Sequence, residues 1–227
     1  VWYVSAVGFA DGNGITFDKN GLTYGIVLET APLTYEATLR VSPTLEKGAG
    51  VIFGNYTGYS TPYTRIYLVS GGKPCVLFNG AGVTFETVDV RSEEFVHLAI
   101  TLDKSKNEVN CYVNGVLKET QELSVGNYSM TNECLVGGDL CSGNHNVFSG
   151  EIKSLVLFDD VRTGKEIKSD MNYVPAGDKN IVAMYDFNAD EDGKDLSVKG
   201  NDLTVRKVWL TEEEADVPED YAFSFAV

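Results

Sequence analysis

Residues 95–121, FVHLAITLDKSKNEVNCYVNGVLKETQ, read as three short strands joined by two tight turns. Apolar side chains occupy alternate positions over residues 96–102, which is the two-residue period of a strand. The second strand ends at Asn114-Gly115, a dipeptide that suits a type I′ hairpin turn because both of its positions need a positive φ. The segment predicts a chain built from hairpins, whose function lies on the faces and loops of a sheet.

The same alternation recurs in other parts of the chain. Residues 33–41 carry apolar side chains at odd positions and polar ones at even positions. This pattern predicts a strand with one face buried and the other exposed to solvent. Comparable segments span 22–28, 50–54, 63–69, 74–78, 83–90, 133–137 and 181–187. Turn residues such as Asn79-Gly80 separate these segments. The pattern predicts an all-β fold of two packed antiparallel sheets.

One helix is predicted over about residues 164–172. Thr163 and Glu166 have the spacing of a capping box, in which each side chain satisfies the backbone N–H of the other residue. The turn at Pro175-Ala176-Gly177 follows the end of this helix.

Two motifs resemble the laminin G-like, concanavalin A-like lectin superfamily. The first is His-x-Ala-x-Thr-x-Asp at 97–103, followed by Tyr-Val-Asn-Gly at 112–115. The second is Val-Gly-Gly-Asp at 136–139, followed by Phe-Ser-Gly-Glu-Ile at 148–152 and a strand leading into the helix. The resemblance covers about residues 22–172 and implies a jelly-roll β-sandwich with one short helix. It also implies a structural role for His97, although Phe95 stands where the family usually has tryptophan.

The chain divides into three parts by composition. We expect residues 1–210 to form the sandwich, 211–220 to be an acidic linker, and 221–227 to be an apolar strand. That strand either packs on the sandwich or begins a truncated following domain, since it resembles the first strand of calcineurin-like metallophosphoesterases. Residues 185–187 and 195–201 resemble strands that the lectin family carries at its N-terminus, so both chain ends are expected to complete one sheet edge. A start at Val1 without a recognisable signal peptide suggests a mature or excised segment.

The net charge of the chain limits which classes of partner it is expected to bind. The formal charge of −15 disfavours nucleic acid and anionic membrane surfaces, because phosphate binding needs clustered Lys and Arg. No apolar run approaches the length of a membrane-spanning helix, so membrane insertion is not expected.

Four cysteines, Cys75, Cys111, Cys134 and Cys141, allow three pairings between which sequence does not choose. We expect mostly free, buried thiols, with a Cys134–Cys141 bridge as the alternative.

Catalysis is not expected from this segment. Sugar-cleaving enzymes of the resembled fold place two carboxylates on one strand face with the spacing Glu-x-Asp-x-Glu, and that run does not occur here. Nucleophilic chemistry would need a histidine partner, and the two histidines lie in a strand and in a polar loop. The sequence also has no Gly-x-Ser-x-Gly elbow. Carboxylates from separate strands remain an alternative route to glycosidase activity.

Calcium is the more plausible ion, because acidic loops rich in Gly and Asn supply the oxygen ligands that it prefers. The candidate ligands are Asp11 and Asn13 in the first loop, with Asp195 and Asn201 in the C-terminal hairpin. The alternative is that these residues only shape turns.

A segment rich in tyrosine is the best ligand-binding candidate. Its residues Tyr56, Tyr59, Tyr63 and Arg65 offer aromatic faces and hydrogen-bond donors to a sugar ring. The alternative is a hairpin loop whose tyrosines cover the sandwich edge. Two further candidates, Asn144 and His145, lie in a polar loop of their own.

These observations predict a non-catalytic accessory module of a larger secreted or cell-surface protein, which would be bacterial and extracellular. It would bind a polysaccharide or other glycan, or hold a neighbouring domain, for which a metallophosphoesterase is the candidate. The alternatives are a glycoside hydrolase or lyase of the same fold, and a purely structural or protein-interaction domain.

Overall fold

The computed structural model describes residues 15–17, 22–56, 63–126, 128, 130, 133–139, 146–187 and 193–207. The predicted linker 211–220 and the terminal strand 221–227 lie outside these residues. The strands are β1 (Ile15–Phe17), β2 (Leu22–Ile26), β3 (Thr34–Arg40), β4 (Gly50–Gly54), β5 (Thr64–Val69), β6 (Lys73–Phe78), β7 (Ala81–Thr84), β8 (Val96–Asp103), β9 (Glu108–Val113), β10 (Val116–Glu122), β11 (Cys134–Val136), β12 (Gly150–Phe158), β13 (Ile181–Asp186) and β14 (Thr204–Lys207), and the helix is α1 (Gly164–Asp170).

The strands form two antiparallel sheets of seven strands each. Sheet A has the order β1-β12-β3-β8-β9-β10, with β13 also paired to β12. Sheet B has the order β14-β2-β11-β4-β5-β6-β7. The predicted all-β jelly-roll sandwich with one short helix is confirmed.

The core lies between the two sheets, where the period-two pattern directs apolar side chains. Phe53, Phe78, Phe148 and Tyr185 are among its largest fully buried side chains. Burial of each such side chain contributes roughly 1.5–3 kcal/mol relative to exposure. The opposite side chains of each strand therefore form two outer faces, and any site that the sandwich carries on its sheets lies there.

Helix α1 covers part of the outer face of sheet A. Thr163 and Glu166 form the predicted capping box, with each side chain bonded to the other residue's backbone N–H. Ile167 is fully buried and packs with Ala99 and Tyr112 of sheet A. The helix prediction is confirmed, with an end at Asp170 rather than at residue 172.

The hairpin turns follow their sequence signals. Asn114 and Gly115 have φ values of 50° and 72°, and Asn79 and Gly80 have φ values of 48° and 90°. Each pair provides the two positive angles that a type I′ turn requires.

Both ends of the sandwich complete the same sheet edge, as expected. Strand β1 pairs with β12 at residues 150–152, and β13 pairs with the same strand at residues 154–158. Strand β12 thus joins the first and next-to-last described strands.

The strand predicted over residues 83–90 is wrong in its second half. Strand β7 ends at Thr84, and Phe85, Val88 and Val90 are buried in irregular backbone. The N–H of Phe85 donates to Pro74 and the N–H of Val90 donates to Gly72. The three-residue step from Phe85 to Val88 breaks the strand period, and burial is achieved by a turn instead.

Two cysteines agree with the expectation of buried thiols. Cys75 and Cys111 are free and buried, and burial raises the pKa of Cys111 to about 12. Cys134 is buried as well, while Cys141 lies outside the described residues, so the alternative bridge remains a prediction.

Candidate functional site

The candidate site lies on the outer face of sheet B. Strand β5 alternates, with Thr64, Ile66 and Leu68 buried, so Arg65 and Tyr67 point away from the core and are only partly covered. Because the strand period fixes both side chains on one face, they are neighbours there.

Arg65 lies between two tyrosine rings. Its Cζ atom is 5.2 Å from the ring centroid of Tyr56 and 4.7 Å from that of Tyr67. Tyr56 also makes an edge contact with Tyr63, with ring centroids 4.9 Å apart. A guanidinium at these distances is attracted by the ring quadrupoles and holds the rings in place.

The charge of Arg65 is balanced by Asp139, which follows β11. The Nη2 atom of Arg65 lies 2.8 Å from Oδ2 of Asp139, a side chain with no exposed surface. The Nδ2 atom of Asn146 is 3.2 and 3.3 Å from the two carboxylate oxygens. We call Tyr56, Tyr63, Arg65, Tyr67, Asp139 and Asn146 the Arg65 cluster.

Two buried N–H donors at neighbouring positions of β5 and the residue after β4 have no hydrogen-bond partner among the described residues. One is Nε of Arg65 and the other is Nδ2 of Asn55, whose side chain is fully buried. The Oδ1 atom of Asn55 accepts from the N–H of Thr64 at 2.6 Å, which fixes the direction of the amide. Buried donors normally find a partner, but both atoms are enclosed, and Asn55 pairs with Thr64, whose side chain faces the core. The part of this region that faces outward is the 15% of the Arg65 side chain that is exposed.

Tyr67 remains protonated over the ordinary pH range. Burial, followed by a hydrogen bond with Cys75, raises the pKa of its hydroxyl above the usual range. The site therefore presents a neutral phenol beside the guanidinium.

Main-chain contacts hold Asn146 beside β4. The N–H of Val51 donates to the carbonyl of Asn146 at 2.8 Å, and Val51 and Val147 form an isolated bridge. Gly50 has a φ of 88°, and a Cβ atom there would collide with the carbonyl oxygen of Val147. Glycine is thus needed at residue 50 for the two backbones to approach.

The structure brings together Tyr56, Tyr63 and Arg65 from the predicted ligand set. Tyr59, Asn144 and His145 lie outside the described residues. The chain from 140 to 145 starts and ends at the Arg65 cluster, because Asp139 and Asn146 belong to it. The two candidate segments are therefore anchored at one place on sheet B.

Sequence reasoning missed Tyr67, Asp139 and Asn146. Tyr67 has a signal, since it alternates with Arg65 on the same strand. Asp139 and Asn146 have none, because their position depends on the non-local pairing of β11 with β4.

Of the predicted calcium ligands, Asp195 and Asn201 are brought together, and Asp11 and Asn13 lie outside the described residues. The carboxylate of Asp195 accepts hydrogen bonds from the N–H groups of Met184, Ser197 and Asn201 and from the Ser197 hydroxyl, at 2.8–2.9 Å. N–H and O–H groups cannot ligate a cation, and here they already occupy the oxygens of the Asp195 carboxylate. Their hydrogen bonds hold the loop against β13. Within the described ranges no group of three His, Cys, Asp or Glu residues is arranged to hold a metal ion.

A second arginine cluster lies on the outer face of sheet A. Arg162 donates from Nε and Nη2 to Asp170 at 2.9–3.2 Å, and its Nη1 lies 3.2 Å from Asp178. The guanidinium is 4.2 Å from the ring of Phe158. Burial raises the pKa of Asp170. This cluster is closed, because Arg162 is only 7% exposed.

The histidine of the sequence motif has a structural position. His97 is buried on sheet A, and its Nε2 lies 3.0 Å from Oε2 of Glu36. Burial raises the pKa of Glu36. The pair lies on the helix-bearing side of sheet A, because Glu36 pairs with Ala99, which contacts α1.

Comparison with known proteins supports the fold. A family model described as the concanavalin A-like lectin/glucanases superfamily matches residues 11–168. Among curated proteins no sequence matches this chain. Among solved structures, a putative carbohydrate binding protein from Bacteroides ovatus is similar, with a TM-score of 0.66 and 16% identity. The match covers 86% of this chain and 59% of that one, so the chain spans little more than half the length of that protein.

Two further structures are similar at lower TM-scores. The IT-sialidase CBM40 of Ruminococcus gnavus has a TM-score of 0.50 and 15% identity, over 70% of this chain and 98% of that one. The K499G mutant of NanB sialidase from Streptococcus pneumoniae has a TM-score of 0.52 and 14% identity, over 72% of this chain and 27% of that one. At such identities the likeness concerns the fold.

In the described ranges no helix has the length and apolar character needed to cross a bilayer.

Proposed function

The chain belongs to the concanavalin A-like lectin/glucanases superfamily, and we propose that it is a non-catalytic, carbohydrate-binding module of a larger secreted or cell-surface protein. The Arg65 cluster is its binding site. Attachment to a metallophosphoesterase domain is part of the proposal and rests on the sequence resemblance of residues 221–227 alone.

The observation that carries this proposal is the chemistry of the Arg65 cluster. A sugar ring offers C–H faces that pack on aromatic rings and hydroxyls that pair with amides and guanidinium groups. Tyr56 and Tyr67 provide the rings, while the guanidinium of Arg65, whose side chain is 15% exposed, provides N–H donors. The description of the similar Bacteroides ovatus protein as carbohydrate binding adds support.

A binding role suits the carboxylate at this site better than catalysis does. Asp139 is fully buried and engaged by Arg65 and Asn146. A general acid or nucleophile must reach the substrate, and this side chain faces the protein. Asp139 is therefore proposed to organise the site rather than to react.

Isothermal titration calorimetry against a glycan panel tests the proposal. We expect the wild-type protein to bind at least one glycan, and Tyr67→Ala to weaken that binding tenfold or more, which corresponds to about 1.4 kcal/mol. Tyr173→Ala is the matched control, because Tyr173 is 71% exposed and follows α1 on the other side of the sandwich. A folded protein that binds no glycan contradicts the proposal, and release of reducing sugar would favour the glycoside hydrolase alternative.

A further inference from the structure

The geometry points to a site that selects uncharged glycans over those carrying carboxylate or sulfate groups, with Asp139 as the residue that sets this preference. This inference rests on the proposed function, since it names the ligand class of the same Arg65 cluster.

The first step is that the positive charge of Arg65 is already compensated. Asp139 contacts Nη2 at 2.8 Å and has no exposed surface, while Arg65 keeps 15% of its side chain exposed. The rings of Tyr56 and Tyr67 also lie within 5.2 Å of the guanidinium carbon. A ligand therefore meets N–H donors that belong to a pair of zero net charge, and such donors suit hydroxyl and ring oxygens.

The second step is that an anionic group here would share Arg65 with Asp139. Two like charges 4 Å apart repel by about 4 kcal/mol at an effective dielectric constant of 20. This repulsion offsets the attraction of the added anion to the guanidinium, and the desolvation cost of the anion remains. A hydroxyl group carries no charge, so it is not repelled by Asp139 and does not have the desolvation cost of an anion.

The third step concerns the charge of the rest of the molecule. The chain has 33 Asp and Glu residues against 18 Lys and Arg, a net charge of −15. Lys73 of β6 is paired with Glu86 at 2.5 Å, and in the irregular segment after β7 Arg91 is paired with Asp89 at 2.7 Å. The long-range field therefore opposes polyanions, and it does so more strongly at low salt.

Matched pairs of oligosaccharides provide the test. We would titrate the wild-type protein with galactan and galacturonan oligosaccharides of equal length, and with a neutral oligosaccharide and its sulfated form. The neutral member of a pair is expected to bind at least tenfold more tightly. Tighter binding of the acidic member overturns the inference but leaves the proposed function standing, whereas absence of binding to every panel glycan overturns the proposed function itself.

Two single variants test the role of Asp139. Asp139→Asn removes the compensating charge, and we expect the neutral-to-acidic affinity ratio to fall at least fivefold. Glu86→Gln changes the net charge by the same amount at the Lys73 pair, and it should leave the ratio within twofold. Equal shifts in both variants, or no shift in Asp139→Asn, would overturn the assignment to Asp139.

A double variant covers the case in which Asp139→Asn does not fold. Arg65→Gln with Asp139→Asn removes both charges of the pair together, and its thermal unfolding is checked first. The preference for neutral glycans should persist in this protein, because the site again has no net charge. A double variant that prefers the acidic members overturns the electrostatic argument.

Discussion

The outer face of each sheet carries an arginine that contacts a carboxylate and an aromatic ring. The two arginines differ in how much of their side chain is exposed to solvent. On sheet A, Arg162 contacts Asp170 and Asp178 and packs on Phe158, with 7% of its surface exposed. On sheet B, Arg65 contacts Asp139 and lies between two tyrosines, with a buried Nε that lacks a partner among the described residues.

The difference teaches how to separate a structural arginine from a binding one. Arg162 uses all three of its nitrogens on carboxylates of its own chain, next to a helix that covers the face. Arg65 contacts one carboxylate, and 15% of its side chain is exposed beside Tyr56 and Tyr67. A partly exposed arginine beside partly exposed aromatic rings is therefore a better candidate for ligand binding than an arginine enclosed by its carboxylates.

Arg162→Ala should give the largest effect, because it leaves Asp170 and Asp178 close together and without their cation. We expect the free energy of unfolding in urea to fall by about 3–5 kcal/mol. Lys73→Ala is the control, since its pair with Glu86 is exposed and should matter by about 1 kcal/mol at most. Equal losses in the two variants would show that the Arg162 cluster is not closed.

Ile167→Ala should give the second-largest loss of stability, and it also acts on the outer face of sheet A. Ile167 fills the contact between α1 and sheet A at Ala99 and Tyr112. Its truncation should lower the free energy of unfolding by about 2–4 kcal/mol. Glycan affinity should stay unchanged, because sheet B bears the site, and a loss of affinity would contradict the separation of the two faces.

Replacement of each arginine by lysine sharpens the comparison. Lysine keeps the charge but loses the planar fork and its stacking. We expect Arg162→Lys to destabilise the protein more than Arg65→Lys, for which about 1 kcal/mol is expected. Arg65→Lys should instead weaken glycan binding at least fivefold, as measured by calorimetry. A larger loss of stability in Arg65→Lys than in Arg162→Lys would contradict the assignment of Arg162 to structure and of Arg65 to binding.

The smallest expected effect is on the pH dependence of stability. It concerns Asp103, which lies at the end of β8 and belongs to neither arginine cluster. A hydrogen bond from Lys106, with others from Ser105, lowers the pKa of Asp103 to about 2. Because the pKa is depressed in the folded state, this stabilisation is present above the unfolded value of about 4 and is lost as the pH falls towards 2. Thermal unfolding of Asp103→Asn should thus depend less on pH between 4 and 2 than that of the wild type.

Much of the fold follows from local pattern. Asn114-Gly115 and Asn79-Gly80 specify their turns through backbone preference alone, and Thr163 with Glu166 specifies the start of α1. These features need no knowledge of distant residues. The irregular segment after Thr84 was missed because the apolar residues of 83–90 were read as strand alternation, although the step from Phe85 to Val88 does not fit that period.

The site was predictable only in part, since its two halves come from segments far apart in sequence. Tyr56, Tyr63 and Arg65 lie within one segment and were identified from composition. Asp139 reaches Arg65 only through the pairing of Leu135 with Gly54 and of Gly54 with Arg65 across three strands. No spacing in the sequence reports such a contact.

The approach of Val147 to Gly50 makes this sandwich a suitable scaffold for loop exchange. Asn146 is positioned by main-chain bonds to β4, and Asp139 follows directly on β11. The hydrogen bond between Val51 and Asn146 and the pairing of β11 with β4 are main-chain contacts outside residues 140–145. Foreign sequences of similar length grafted between the two anchors would inherit a rigid base, as variable loops do on immunoglobulin frameworks.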